Sequence, residues 1–160
     1  MTTLLLAAVL LLLTPTSAVR PPLRRDADPT PISGQALRNV MELGHIDVFG
    51  VPPNRFRLAL GVAQVAFEGA GRSVAFALGG IDSGPDRPFV PWLNCRLAAF
   101  DSHREAAAHY WRFLARRCAG ALVAFDAGSP EAAGLAFGRC GYMRLDPVEY
   151  GRHLRSLYRP

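Results

Sequence analysis

Asn54-Arg55-Phe56-Arg57-Leu58-Ala59-Leu60-Gly61-Val62-Ala63-Gln64-Val65-Ala66-Phe67-Glu68-Gly69-Ala70-Gly71 reads as one helix with both ends marked. Asn54 can cap the start, because its side-chain oxygen accepts a hydrogen bond from a backbone amide that has no partner in the first turn. Phe56, Leu60, Ala63 and Phe67 recur at helical spacing and define a buried face. Gly69 and Gly71 stop the helix near Glu68. Glu68 is the only acidic residue between Asp47 and Asp82. A carboxylate closing an apolar helix is partly desolvated and feels the negative end of the helix dipole; both effects raise its pKa. A raised pKa is what a general acid needs to protonate a glycosidic oxygen near neutral pH. The competing reading is an ordinary solvated glutamate in a last helical turn.

Upstream, Ser33 can cap a helix running to about Leu43, with Gly44 as its end and a Gly-Pro-Pro-rich connection after it. Downstream, Val74 to Leu78 is a short apolar stretch, expected as a helical turn. Gly79 to Ala99 mixes glycine, proline and short apolar pieces, an irregular lobe with room for a small hairpin. Ser102-His103-Arg104-Glu105 fits a capping box, in which serine and glutamate each satisfy a free amide, and predicts a helix to about Arg117. Ser129-Pro130-Glu131 starts another helix, ended by Gly141, with proline in the first turn where its missing amide costs nothing. Asp146-Pro147-Val148-Glu149 repeats that signal before a final helix with Tyr150, Leu154 and Leu157 on one face. The sum is a mainly α fold with a small irregular or β-containing lobe.

The N-terminal end reads differently. Leu4 to Leu13 is apolar but short for a membrane span, and Thr16-Ser17-Ala18 follows with the small residues a signal peptidase cuts after. Residues 1–18 are therefore expected to be an export signal; the alternative is an uncleaved anchor. Residues 19–32, rich in proline and charge, are expected to be an extended linker, and residues 33–160 the folded domain. Without signal and tail, roughly 110 to 130 residues remain, enough for one core.

Half of the 160 residues are hydrophobic, which excludes a disordered chain. The net charge is +5 and every basic residue is arginine. Basic proteins associate with nucleic acid, anionic membranes or anionic wall polymers. Here the arginines run from Arg20 to Arg159 without a stripe interleaved with aromatics, which argues against nucleic acid as a partner. Cys95, Cys118 and Cys140 form no CxxC pair, and the histidines, His45, His103, His109 and His153, are scattered, so no metal site and no cofactor is expected. Cys118 and Cys140 would sit near the ends of neighbouring helices and could pair in an oxidising compartment; three buried apolar thiols is the other reading.

Several stretches, taken in order, resemble the glucosaminidase-type peptidoglycan hydrolases of the flagellar and autolysin kind. Gln64-Val65-Ala66-Phe67-Glu68-Gly69-Ala70-Gly71-Arg72-Ser73 looks like that family's AQAALESGWGRS stretch, and Ala77-Leu78-Gly79-Gly80-Ile81 falls where it has an asparagine-rich NLFGI or NLGNI segment. Phe100-Asp101-Ser102 matches its Y/F-D-S, and His109-Tyr110-Trp111-Arg112-Phe113-Leu114 its Y-x-x-L helix. Cys140-Gly141-Tyr142, Asp146-Pro147 and Tyr150 resemble its AGYATDP-YA ending. The matches cover about residues 54 to 158. The resemblance implies a lysozyme-like domain, Glu68 as catalytic acid and Tyr142 lining the cleft near the cleaved bond; a half-buried packing aromatic is the plainer role for Tyr142. The family's asparagines are replaced by Ala77 and Gly80, and its bulky residue after the glutamate is lost to Ala70 and Gly71.

Asp82 and Asp86 are the acids of the irregular lobe and could position water or substrate, although aspartate beside Ser-Gly or Gly-Pro is commonly a turn residue. Trp92 could stack on a sugar ring or close the lobe. The resemblance implies an enzyme that cuts peptidoglycan glycan strands, expected as a monomer; the export signal implies a periplasmic or secreted location, with no stable membrane insertion once the signal is removed. The alternative is a lysozyme-like module that binds peptidoglycan without turnover, which the lost asparagines favour.

Overall fold

In a computed structural model, the structure describes residues 29–69, 76–78, 81, 88–92, 95–143 and 145–160. The expected signal, the first part of the expected linker, Asp82 and Asp86 lie outside the described residues. The order is α1 (Gly34–Phe49), α2 (Arg55–Phe67), β1 (Phe89–Trp92), β2 (Cys95–Ala98), α3 (His103–Arg117), α4 (Ala119–Asp126), α5 (Pro130–Arg139) and α6 (Pro147–Leu157). The fold is mainly α. The strands form one antiparallel hairpin, with Phe89 opposite Ala98 and Trp92 opposite Cys95, inside the stretch read as an irregular lobe.

Ser33 precedes α1 as expected, but its side chain makes no cap hydrogen bond; the other four start signals act as their chemistry requires. Asn54 accepts from the Arg57 amide at 2.8 Å, Ser129 from that of Ala132 at 3.3 Å, and Asp146 from those of Val148 and Glu149, both at 3.0 Å. Ser102 accepts from the Glu105 amide at 3.2 Å, while the Glu105 carboxylate takes the amide of Asp101, one residue before the cap, at 2.9 Å.

Gly44 departs from expectation. α1 runs through it and ends at Gly50, whose φ of 74° is the left-handed turn that glycine adopts without strain. Gly44 is instead where α1 meets α3: a Cβ there would lie 2.6 Å from the Ala107 Cβ and 2.7 Å from the Ala108 amide nitrogen. The missing side chain lets two backbones touch. α5 and α6 use the same device, since a Cβ on Gly134 would lie 2.4 Å from the Pro147 carbonyl oxygen. Leu157 shares a helix face with Tyr150 and Leu154 but is 42% exposed at the last residue of α6, while Gly151 packs against Pro130 and Glu131 of α5. One further expectation fails. Phe76 has a positive φ of 57° and lies in a turn, not in a helical segment. Its amide donates to the Thr30 hydroxyl at 2.7 Å, and the His103 ring bonds the Thr30 carbonyl, also at 2.7 Å. Thr30, within the stretch read as linker, thus makes contacts to the domain.

The core centres on Trp111, which is fully buried with Tyr110, Phe125, Phe137 and Tyr150. Its indole N–H donates to the Met41 carbonyl at 2.8 Å. Burying a ring of that size removes about 150–250 Å² from water, on the order of 4–6 kcal/mol. His45, near the end of α1, is buried beside it: its Nδ1 lies 2.9 Å from the carbonyl of Val51 in the α1–α2 turn, and Arg57 Nη1 lies 3.1 Å from Nε2. Arg57 also pairs with Asp126 at the end of α4, tying α2 to that helix. Among the described residues, no helix is long and apolar enough to cross a membrane.

Candidate functional site

Glu68 caps α2: its amide donates to the Gln64 carbonyl at 3.0 Å, closing the last turn. The side chain is half-buried and turns toward α6. There the Tyr150 hydroxyl donates to Glu68 Oε1 at 2.6 Å, a short charge-assisted contact. Gln64 sits one turn earlier on the same face of α2. Its Nε2 donates to the Tyr150 hydroxyl at 3.1 Å and to the Tyr142 hydroxyl at 2.9 Å. With its proton committed to Glu68, the Tyr150 oxygen is free to accept from Gln64, so the chain runs amide to phenol to carboxylate. Tyr142 lies just past the left-handed Gly141 that follows α5, and Tyr150 is in the first turns of α6.

Rings wall this cluster. Phe67 packs edge-on to Tyr150 at 5.2 Å and stacks on His153 at 5.0 Å. Phe137 lies between Tyr142 at 4.9 Å and Tyr150 at 5.7 Å, and Phe113 lies 5.6 Å from Tyr142. The disulfide between Cys118 and Cys140 ties the α3–α4 junction to the end of α5, two residues before Tyr142. It closes a loop of 22 residues' separation and limits how far the Tyr142 turn can move from α3.

Burial raises the pKa of Glu68, and the hydrogen bonds from Tyr150 and Gln64 oppose that rise. No other carboxylate among the described residues contributes to the shift. Burial and the nearby Glu68 charge push the phenols of Tyr142 and Tyr150 far up, so both remain protonated donors. Two buried polar atoms, Gln64 Oε1 and the Tyr110 hydroxyl, have no hydrogen-bond partner among the described residues. The arrangement can hold one carboxyl group ready to lose and regain a proton, with the Tyr150 phenol as a donor to its ionised form.

Of the residues singled out by sequence, Glu68 and Tyr142 come together, joined through Gln64. Trp92 is in β1, opposite Cys95; its side chain lies outside what the structure describes. Sequence reasoning missed Gln64, Tyr150 and Tyr110 as members of this cluster. Gln64 carried a usable signal, a polar residue in an apolar helix one turn before a lone acid. Tyr150 carried only its place on one face of the last helix and Tyr110 its place in a helical motif, and both are also core residues. Among the described residues no group of three or more His, Cys, Asp or Glu side chains converges to hold a metal ion. Compared with family models, curated proteins and solved structures, the chain matches none of them.

Proposed function

We propose that this chain is a peptidoglycan glycan-strand hydrolase of the endo-β-N-acetylglucosaminidase type, built on a lysozyme-like helical domain, with Glu68 as its general acid. One observation carries the reading: a lone carboxyl, raised in pKa by burial, ends a helix with the Tyr150 hydroxyl on one of its oxygens. Protonated Glu68 gives its proton to the glycosidic oxygen as the C1–O bond breaks. Water then adds to C1 and its proton passes to the Glu68 carboxylate, which restores the acid. As the proton leaves, Tyr150 and Gln64 stabilise the negative charge left behind. Asp82, Asp86 and Trp92 are the proposed substrate contacts, with Tyr142 beside the cleaved bond. A disulfide suits an oxidising compartment, which supports a periplasmic or secreted protein working as a monomer.

The second reading, a module that binds the strand without turnover, is favoured by the same hydrogen bonds, since donors to a carboxylate weaken its hold on a proton. The test is turbidity loss of purified peptidoglycan with the full chain and with Glu68→Gln. Lysis by the parent and none by the folded variant supports the hydrolase. Co-sedimentation with peptidoglycan and no lysis by either selects the binding module. Neither lysis nor binding overturns both.

A further inference from the structure

The outer face of α3 carries a recess of about 170 Å³ lined by His109, Arg112, Phe113, Arg116 and Arg117. Three arginines elsewhere on the surface are neutralised: Arg57 by Asp126, Arg104 by Asp47 and Arg155 by Glu131. Arg112, Arg116 and Arg117 form no ion pair among the described residues. The carboxylate that feels Arg112 is that of Asp47, which Arg104 already holds in a two-point contact. Arg112 and Arg116 are four apart on one helix face, where like charges repel. The helix dipole accounts for Arg116 and Arg117 in the last turn, but not for Arg112 or for the recess between them. Phe113 gives the recess an apolar wall, and the same ring lies 5.6 Å from Tyr142, whose hydroxyl joins the Glu68 cluster. The recess is therefore one ring away from the candidate site.

We propose that this recess binds the free carboxylates of the short peptides that branch from the glycan strand, so that Arg112, Arg116 and Arg117 hold the stem while Glu68 meets the sugar. This rests on the glycan-strand reading above. A guanidinium fork matches a planar carboxylate in two parallel hydrogen bonds, and Phe113 suits a small aliphatic side chain of the same peptide.

The probe is a synthetic stem tetrapeptide without sugar, titrated into the full chain and followed by NMR and calorimetry. The parent binds it, with shifts at Phe113 and the Arg112 and Arg116 side chains. Arg112→Gln/Arg116→Gln binds about tenfold more weakly, as does the parent with a peptide whose carboxylates are amidated. Arg112→Lys/Arg116→Lys recovers part of the loss, which separates lost charge from a misfolded helix. Equal binding of the amidated peptide, or unchanged binding by the glutamine variant, overturns the proposal. So does inorganic phosphate competing at lower concentration than the peptide, which makes the recess a phosphate site. Lysis of strands stripped of their stems is scored in parallel. Peptide binding as stated without such lysis leaves the recess assigned and removes the Glu68 reading; lysis with unchanged peptide binding in the glutamine variant does the reverse.

Discussion

Replacing Gly44 with alanine tests the packing of the whole fold in one step. In an isolated helix the change stabilises by about 1 kcal/mol, because alanine loses less backbone freedom than glycine. Here the new Cβ would meet the Ala107 Cβ at 2.6 Å, the Ala108 nitrogen at 2.7 Å and the Ala107 carbonyl carbon at 2.8 Å. Two of those three atoms are backbone, and Ala107 is fully buried, so no rotamer change relieves the clash. α1 and α3 must separate. Overpacking of this kind costs about 1–3 kcal/mol, and rigid backbone contacts put it at the upper end. After subtracting the propensity gain, the net loss is about 2 kcal/mol. For a domain of this size that lowers Tm by roughly 6–10 °C. The assay is thermal and urea unfolding of the oxidised protein followed by circular dichroism, with Gly50→Ala as control. Gly50 has open space around it but a left-handed φ, so its loss should be smaller, about 1 kcal/mol. A Gly44→Ala protein as stable as the parent, or more so, would refute the close α1–α3 approach.

Tyr150→Phe removes the donor on Glu68 Oε1, so the Glu68 carboxyl, already raised by burial, should titrate at still higher pH by ¹³C NMR; an unmoved or lower midpoint contradicts the hydrogen bond. Burial, the larger influence, lowers the pKa of His45 below its ordinary value, so the unfolded chain binds more protons there. Its contribution to stability is present above the ordinary histidine pKa and is lost as pH falls through the lowered one; a His45 midpoint by NMR at or above the ordinary value would rule this out. Breaking Cys118–Cys140 with a Cys118→Ser/Cys140→Ser pair frees a loop of 22 residues' separation and should cost about 3 kcal/mol, read as a drop in urea midpoint; an unchanged midpoint would show that the bridge constrains nothing.

Much of the helical framework was legible in the chain. The starts of α2, α3, α5 and α6 follow from local chemistry, because Asn54, Ser102, Ser129 and Asp146 each cap amides a few residues away. α4 was not foreseen: Ala119–Asp126 is apolar nearly all round, with no side-chain cap and no face to mark it. It packs on α2 and α5, but Ala119, Gly120 and Val123 on its exposed face are as apolar as the buried residues, so no periodicity marks it. The role of Gly44 was misread for a related reason. A glycine inside a helix and a glycine ending one look alike in sequence, and only the position of Ala107, 63 residues away, separates them.

The candidate site divides along the same line. The sequence by itself determined that a lone acid would close an apolar helix, because the apolar run, Glu68 and the glycines after it are adjacent in the chain; whether that acid was buried or solvated it left open. Only the tertiary structure decided which groups touch that acid. Tyr150 lies 82 residues from Glu68, and Tyr142 lies 78 residues from Gln64. They meet because α6 packs against α5 and α2, and because the disulfide and Gly141 turn the chain back between α5 and α6. Hydrogen bonds across such separations depend on helix packing, a property of the whole fold that no window of the sequence contains.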